Sequence, residues 1–248
     1  MKRILLNTFL VLAAGILSTS FSPDRGVVGK VTFPLGNVLV LSQGETRFRT
    51  VSFNMPLKTG DKIETKKQSR CEITYDDGSV VRIDEQSIYT VEKAIITNEK
   101  KEVESKLSIG KIWANLKKII RGNDSWKLKS PAAVVAVRGT IYRMNAGADS
   151  STQVLVYQGQ VDVAPASASG GSQQGMGLAP GQPQQIQGPS QVAGPRQVSM
   201  DAWFEIVKAQ QQIVVRPDGT YAKSEFNMSQ DAQLDWVKWN KERDAAMK

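Results

Sequence analysis

The residue types that most often carry chemistry are scarce in these 248 residues. Histidine is absent, which removes the commonest general base and the commonest metal ligand together. The single cysteine, Cys71, cannot close an internal disulfide, and without histidine it cannot build a zinc site. Ser108-Ile109-Gly110-Lys111 fits the S-x-x-K signature and Lys58-Thr59-Gly60 fits K-T-G. Their order is the reverse of what penicillin-binding chemistry uses, and Gly110 falls where the serine should open a buried helix. Asp76, Asp77, Asp84 and Glu85 could gather at one hairpin end and offer oxygen ligands to calcium. Their spacing matches no calcium loop, and turn and surface roles account for them better. Two acids could converge in space for glycoside cleavage, so a carboxylate-dependent hydrolase is the enzymatic alternative, although no pair is marked. No glycine-rich phosphate loop joins a strand to a helix. The expectation is a protein without catalytic residues, metal or cofactor.

Charge offers a second lead. The formal net charge is +8. The excess is local: Lys111, Lys117, Lys118, Arg121, Lys127, Lys129, Arg138 and Arg143 face Asp124 alone. A basic stripe over 111–143 could hold an anionic envelope glycan or polymer, with Lys111, Lys117, Lys118, Arg121, Lys127 and Lys129 as its contacts. The alternative is a solvated polar face. No aromatic residues interleave the charges as a single-strand platform would need, so nucleic acid is not expected as a partner.

The N-terminus reads as an address. Lys2 and Arg3 precede a mostly apolar stretch from Ile4 to Leu17, and Ser18-Thr19-Ser20 supplies the small residues of a cleavage site. Residues 1–20 are expected to be a signal peptide. The stretch falls short of the ~20 apolar residues of a spanning helix, so membrane contact is expected only if the signal is kept as an anchor. Export with a lone thiol suits the periplasm or envelope of a bacterium.

From 26 to 163 the chain is punctuated like a β domain. Val27-Val28-Gly29-Lys30-Val31 and Val38-Leu39-Val40-Leu41 are short β-branched runs bounded by glycine and proline. Asp76-Asp77-Gly78-Ser79 between Cys71–Tyr75 and Val81–Asp84 predicts a hairpin, because Asp-Gly tolerates positive φ. Gln158-Gly159 between Val154–Tyr157 and Gln160–Val163 predicts a second. Ile112, Trp113, Leu116, Ile119 and Ile120 have helical spacing, which predicts one amphipathic helix packed on a sheet. Residues 164–199 shift to Gln, Gly, Pro, Ser and Ala, the composition of a flexible linker. A last strand near Gln184-Gln185-Ile186 would carry the β domain to about residue 187. Residues 200–248 read as a small helical tail, with one helix over Asp201–Gln212 and a second capped by Ser229. Such a tail is too small to stand alone and should dock on the β domain or on a partner, with Trp203, Trp236 and Trp239 as partner-binding candidates.

Two stretches together resemble a FecR domain. The first runs from Pro56 to Ile83 and holds Gly60, Asp61, Asp77, Gly78 and Ser79 at the positions of a "GD" corner and a "DGS" hairpin. The second is Gly110-Lys111-Ile112-Trp113 followed by Lys129–Tyr142, where Pro131 and Val137-Arg138-Gly139-Thr140 are similar to the family's "P…VRGT" motif. Trp236–Arg243 (WVKWNKER) is similar to tails of exported FecR-domain proteins. The resemblance implies a mainly β, antiparallel sandwich or roll with structural motif residues. From the residues alone, Arg138 should lie buried in a strand and be hydrogen-bonded there. FecR proteins in their best-known arrangement relay a signal from an outer-membrane receptor to a cytoplasmic sigma factor. Only Met1, Lys2 and Arg3 precede the apolar segment here, so a direct sigma-contacting part is not expected. What the resemblance implies is an exported, non-catalytic protein-interaction or sensory module, whose partner would be an envelope receptor or transporter.

Overall fold

The computed structural model describes residues 26–119, 121–122, 124–166 and 205–247. Its strands are β1 (Val27–Leu35), β2 (Val38–Leu41), β3 (Arg49–Thr50), β4 (Pro56–Lys58), β5 (Lys62–Thr65), β6 (Arg70–Tyr75), β7 (Val80–Ile83), β8 (Ser87–Ile96), β9 (Lys101–Asn115), β10 (Ser125–Lys129), β11 (Ala133–Val137), β12 (Ile141–Ala146), β13 (Thr152–Gln158), β14 (Gln160–Pro165), β15 (Glu205–Lys208), β16 (Gln211–Val215) and β17 (Tyr221–Glu225). Two helices follow, α1 (Met228–Asp231) and α2 (Asp235–Ala245). Among the described residues no helix is long and apolar enough to cross a membrane.

The pairings make two sheets. Sheet A runs β4-β1-β6-β7-β9-β12-β13-β16-β17. Sheet B runs β3-β2-β5-β8-β9-β10-β11-β14-β15. Neither sheet closes on itself, and the pairs are antiparallel except β9 with β10. Strand β9 serves both sheets. Its first part, up to Ile109, pairs with β8, and from Gly110 onward it pairs with β12. Gly110 makes the bend with φ +100°, where a Cβ would come within 2.5 Å of the Ser87 Cα. Only glycine fits so close an approach.

The alternation of each strand sends its Val, Ile and Tyr side chains between the sheets. Val40, Ile63 and Leu107 of sheet B and Ile73, Ile83 and Val156 of sheet A join one buried cluster. Tyr75 of sheet A reaches Tyr89 of sheet B through a 2.8 Å hydroxyl hydrogen bond, and Trp126 packs edge-on against Tyr75. Pairing and packing therefore give the mainly β, two-sheet roll that the sequence led us to expect.

Three local expectations are corrected. Ile112–Ile120 is not a helix over its described part: Ile112, Trp113 and Ala114 lie on β9, and Leu116–Ile119 is irregular. Both faces of β9 are covered here, the inner by the core and the outer by α2, so consecutive apolar residues are all buried and strand alternation is lost. Val154–Val163 is not a hairpin. Its two runs are strands, but β13 lies in sheet A and β14 in sheet B, joined across the roll at Gly159. Asp201–Gln212 is not a helix over its described part. Glu205–Lys208 and Gln211–Val215 are strands that extend both sheets, with Val207 buried and Ile206 exposed as a strand requires. The β fold thus takes in residues that the sequence assigned to the tail. The signal peptide, most of the linker, the strand near Gln184 and Trp203 lie outside the described residues.

Candidate functional site

The outer face of sheet A carries one row of residues in register. Phe33 pairs with Glu72, Glu72 with Arg82, Arg82 with Trp113, Trp113 with Arg143, and Arg143 with Leu155. Each is the outward member of its strand, so a row of charge and ring surface crosses the sheet. After β17 the chain turns back over this row. Asn227 caps α1 by accepting from the Ser229 and Gln230 amides, and α2 then lies against the sheet.

Glu72 is the junction of the contact. Its carboxylate accepts from Thr32 Oγ1 at 2.8 Å, from Arg82 Nε at 2.6 Å, and from Arg243 Nε and Nη2 at 2.8 and 2.9 Å. Burial alone would raise its pKa, but the donors from Arg243, Arg82 and Thr32 outweigh that and hold it at about 2. Arg82 has no exposed surface, and its Nη1 donates to Asp244 Oδ1 at 2.7 Å. Asp244 also accepts from Trp113 Nε1 at 3.0 Å. Further along the row, Arg143 and the Tyr157 hydroxyl both donate to Asp231, each at 2.7 Å. Trp236 and Trp239 stack 5.3 Å apart, and Arg70 lies over both rings. Charged hydrogen bonds and cation–π contacts join tail to sheet, together with a small apolar cluster of Trp113 with Trp236 and Val237.

Trp236 and Trp239 are accordingly packed on the chain's own sheet, with Trp236 buried. The motif residues sit at the sheet-changing corners and turns. Asp61 Oδ2 accepts from the Lys58 amide, and the Gly60 amide donates to the Val91 carbonyl, which ties the corner before β5 to β8. Asp77 accepts from the amide and hydroxyl of Ser79, Gly78 holds φ +80°, and the Ser79 hydroxyl accepts from the Lys117 amide. Pro131 is exposed in the turn between β10 and β11. Val137 ends β11 in the core, Gly139 turns the corner with φ +96°, and Thr140 donates to the Gln160 carbonyl at 2.7 Å. Arg138 is exposed, not buried in a strand. The apolar run around it belongs to two strands in different sheets, and Arg138 lies on the outside of the corner between them.

The basic stretch does not form one stripe. Lys111 Nζ is 3.7 Å from Asp84, Lys127 is 3.9 Å from Glu104, and Lys129 bridges Glu92 and Glu104 at 3.0 and 2.9 Å. Lys118 and Arg121 line an open cleft of about 470 Å³ that also holds Asp76, Asp77, Lys101 and Asp124. Acids from β8 and β9, distant in sequence, interleave the bases and break the field. Asp76 and Asp77 lie in the β6–β7 turn, whereas Asp84 and Glu85 follow the far end of β7, so the four acids do not converge. Among the described residues, Glu72, Glu102, Asp149 and Asp218 are held below the usual carboxylate range. Burial, together with the neighbouring Glu72 charge, pushes the Cys71 thiol up to about 12, the state of an inert thiol.

The row Glu72–Arg82–Trp113–Arg143 was missed in the sequence. Its signal is a charge at the centre of an otherwise apolar strand, in RCEITY, VVRI and IYRMN.

Two crystal structures of a "putative anti-sigma factor" from Parabacteroides distasonis are similar to this chain, each at 16% identity and a TM-score of 0.46. The similarity covers 69% of this chain and 62% of those chains, so this chain spans less than two thirds of their length. No curated protein matches it. The family model described as "FecR protein" matches residues 61–162, from the Asp61 corner through the VRGT corner to β14. Over that stretch, which is less than half of the chain, the chain is similar to the FecR family.

Proposed function

We propose that this chain is an exported, non-catalytic module of a bacterial cell envelope that binds another protein, a receptor or transporter, in a signalling or regulatory relay. The observation that carries this is the FecR match over residues 61–162. The placement of the motif residues supports it: they hold corners and turns, and none of them gathers around a reacting group. The apolar N-terminal stretch supports export. Photo-crosslinking in intact cells tests the proposal, with probes at Phe53 and Ile206, which are exposed side chains of the roll. The expected result is a defined adduct with one envelope protein, from cells whose fractionation places the chain outside the cytoplasm. A chain that stays cytoplasmic, or that sediments with wall or glycan material without a protein adduct, would overturn it.

A further inference from the structure

The chain after β17 extends neither sheet; it folds back over sheet A and is held there by charged contacts and by a small apolar cluster around Trp113, Trp236 and Val237. The eleven-residue α2 buries only Trp236, Val237 and Asn240. A helix of that length is marginal by itself in water. Leu234, at its N-cap, supplies no side-chain cap bond. The charged contacts are dense by comparison: Glu72 with Arg243, Arg82 and Trp113 with Asp244, Arg70 with Asp235. The fit is incomplete, because Arg143 Nε on the sheet and Trp236 Nε1 on the helix are buried without a hydrogen-bond partner. Each is a donor that a better-matched contact would satisfy. An element with a small apolar footing and unspent buried donors belongs to the low-stability end of a fold and opens before the sheets do.

We propose that the outer face of sheet A is a docking surface for a helix of a partner protein, and that α2 is its resident occupant. The sheet offers Arg82, the Trp113 indole N–H and Arg143 as donors and Glu72 as acceptor. The occupant that fits is an amphipathic helix with an aromatic pair one turn apart, then an Arg-Asp pair about one turn further on, the pattern of Trp236, Trp239, Arg243 and Asp244. A carboxylate that reaches both Nε and Nη2 of Arg143 gives an incoming helix an advantage that Asp231, bonded to Nη2 alone, lacks. The inference deepens the interaction reading above, and rests on it only in taking the partner to be a protein.

The test uses a fluorescein-labelled peptide of residues 226–247 as the incoming helix. It is titrated against the full chain and against a full-chain Trp236→Ala/Asp244→Ala variant, in which the resident helix is loosened and every sheet residue is kept. The tethered helix competes at an effective concentration on the order of millimolar. The variant should therefore bind the peptide at least tenfold more tightly than the parent chain, and adding Arg82→Glu should abolish that binding. A variant that binds no more tightly than the parent overturns the assignment. So does a variant that forms a dimer by light scattering, because the face would then belong to a second copy of this chain. Hydrogen exchange on the unmodified chain keeps the test open if the variant does not fold. The α2 amides should exchange at least a hundredfold faster than those of β6 and β7, and exchange of α2 only with the whole molecule overturns the assignment. The peptide titration needs no cellular partner, so it can fail while envelope crosslinking succeeds, and the reverse.

Discussion

Glu72 accepts from Thr32, Arg82 and Arg243, and those donors keep its charge in place against burial. Glu72→Gln removes the negative charge and leaves Arg82, with no exposed surface, with Asp244 as its remaining ion-pair partner. Breaking one side of a buried ion pair costs several kcal/mol, so we expect a loss of roughly 3 kcal/mol in urea denaturation. The pH dependence follows from the same group. Its folded pKa, about 2, lies below the ~4.3 of a free glutamate. A depressed carboxylate contributes its full stabilisation above the unfolded value and loses it as pH falls from there toward the folded value. Stability of the parent chain should therefore drop between about pH 4.3 and about pH 2, and Glu72→Gln should flatten that drop; an unchanged slope would assign it to other carboxyls. Glu72, Arg82 and Arg143 are plain in the sequence as charges inside apolar strands, but local alternation reads them only as outward-facing. That they align in one row depends on register between strands distant in sequence, which no local pattern carries. Arg138 shows the converse: an apolar run on both sides suggests burial, and only the corner at Gly139 puts it outside.

The elements differ in how far their sequences announce them. The β6–β7 hairpin was legible because Asp-Gly turn chemistry is local. The crossing from β13 to β14 was not, since a glycine between two β runs serves a hairpin and a sheet-changing corner alike. Strand β9 imitated a helix because α2 covers its outer face, a contact with residues far along the chain. A helix around Trp236 was legible, but its start was not: Ser229 lies inside α1, which Asn227 caps, and α2 begins after Leu234; its docking was one of two open alternatives. Its N-cap supplies an element-scale prediction. Leu234 has extended backbone and is 50% exposed, so little packing is lost on replacing it. Leu234→Ser would supply the missing acceptor for the first-turn amides, worth about 0.5–1 kcal/mol. The α2 amides should exchange more slowly by a corresponding factor while β6 and β7 are unaffected; no change would mean that the helix opens by a route that leaves its N-terminus docked.

Across the whole molecule, net positive charge gave little guide to function, because acids from other strands meet several of the bases in space. The two-sheet architecture was legible as a class from strand length and punctuation. Its boundary was not: β15, β16 and β17 lie beyond a long polar stretch and still complete both sheets. One feature of that architecture reaches further. Because β9 runs through both sheets, everything before it supplies one side of sheet A and one side of sheet B, and everything from β10 onward supplies the other. The molecule is therefore divided across its layers, not between them. A chain cut once between β9 and β10 yields two pieces that each carry half of both layers and meet along β9–β10 and β9–β12. Co-expressed as separate polypeptides, they should reassemble into a soluble heterodimer that elutes like the intact chain. Pieces that stay apart would show that covalent continuity at that seam, and not strand pairing across it, makes the molecule one unit.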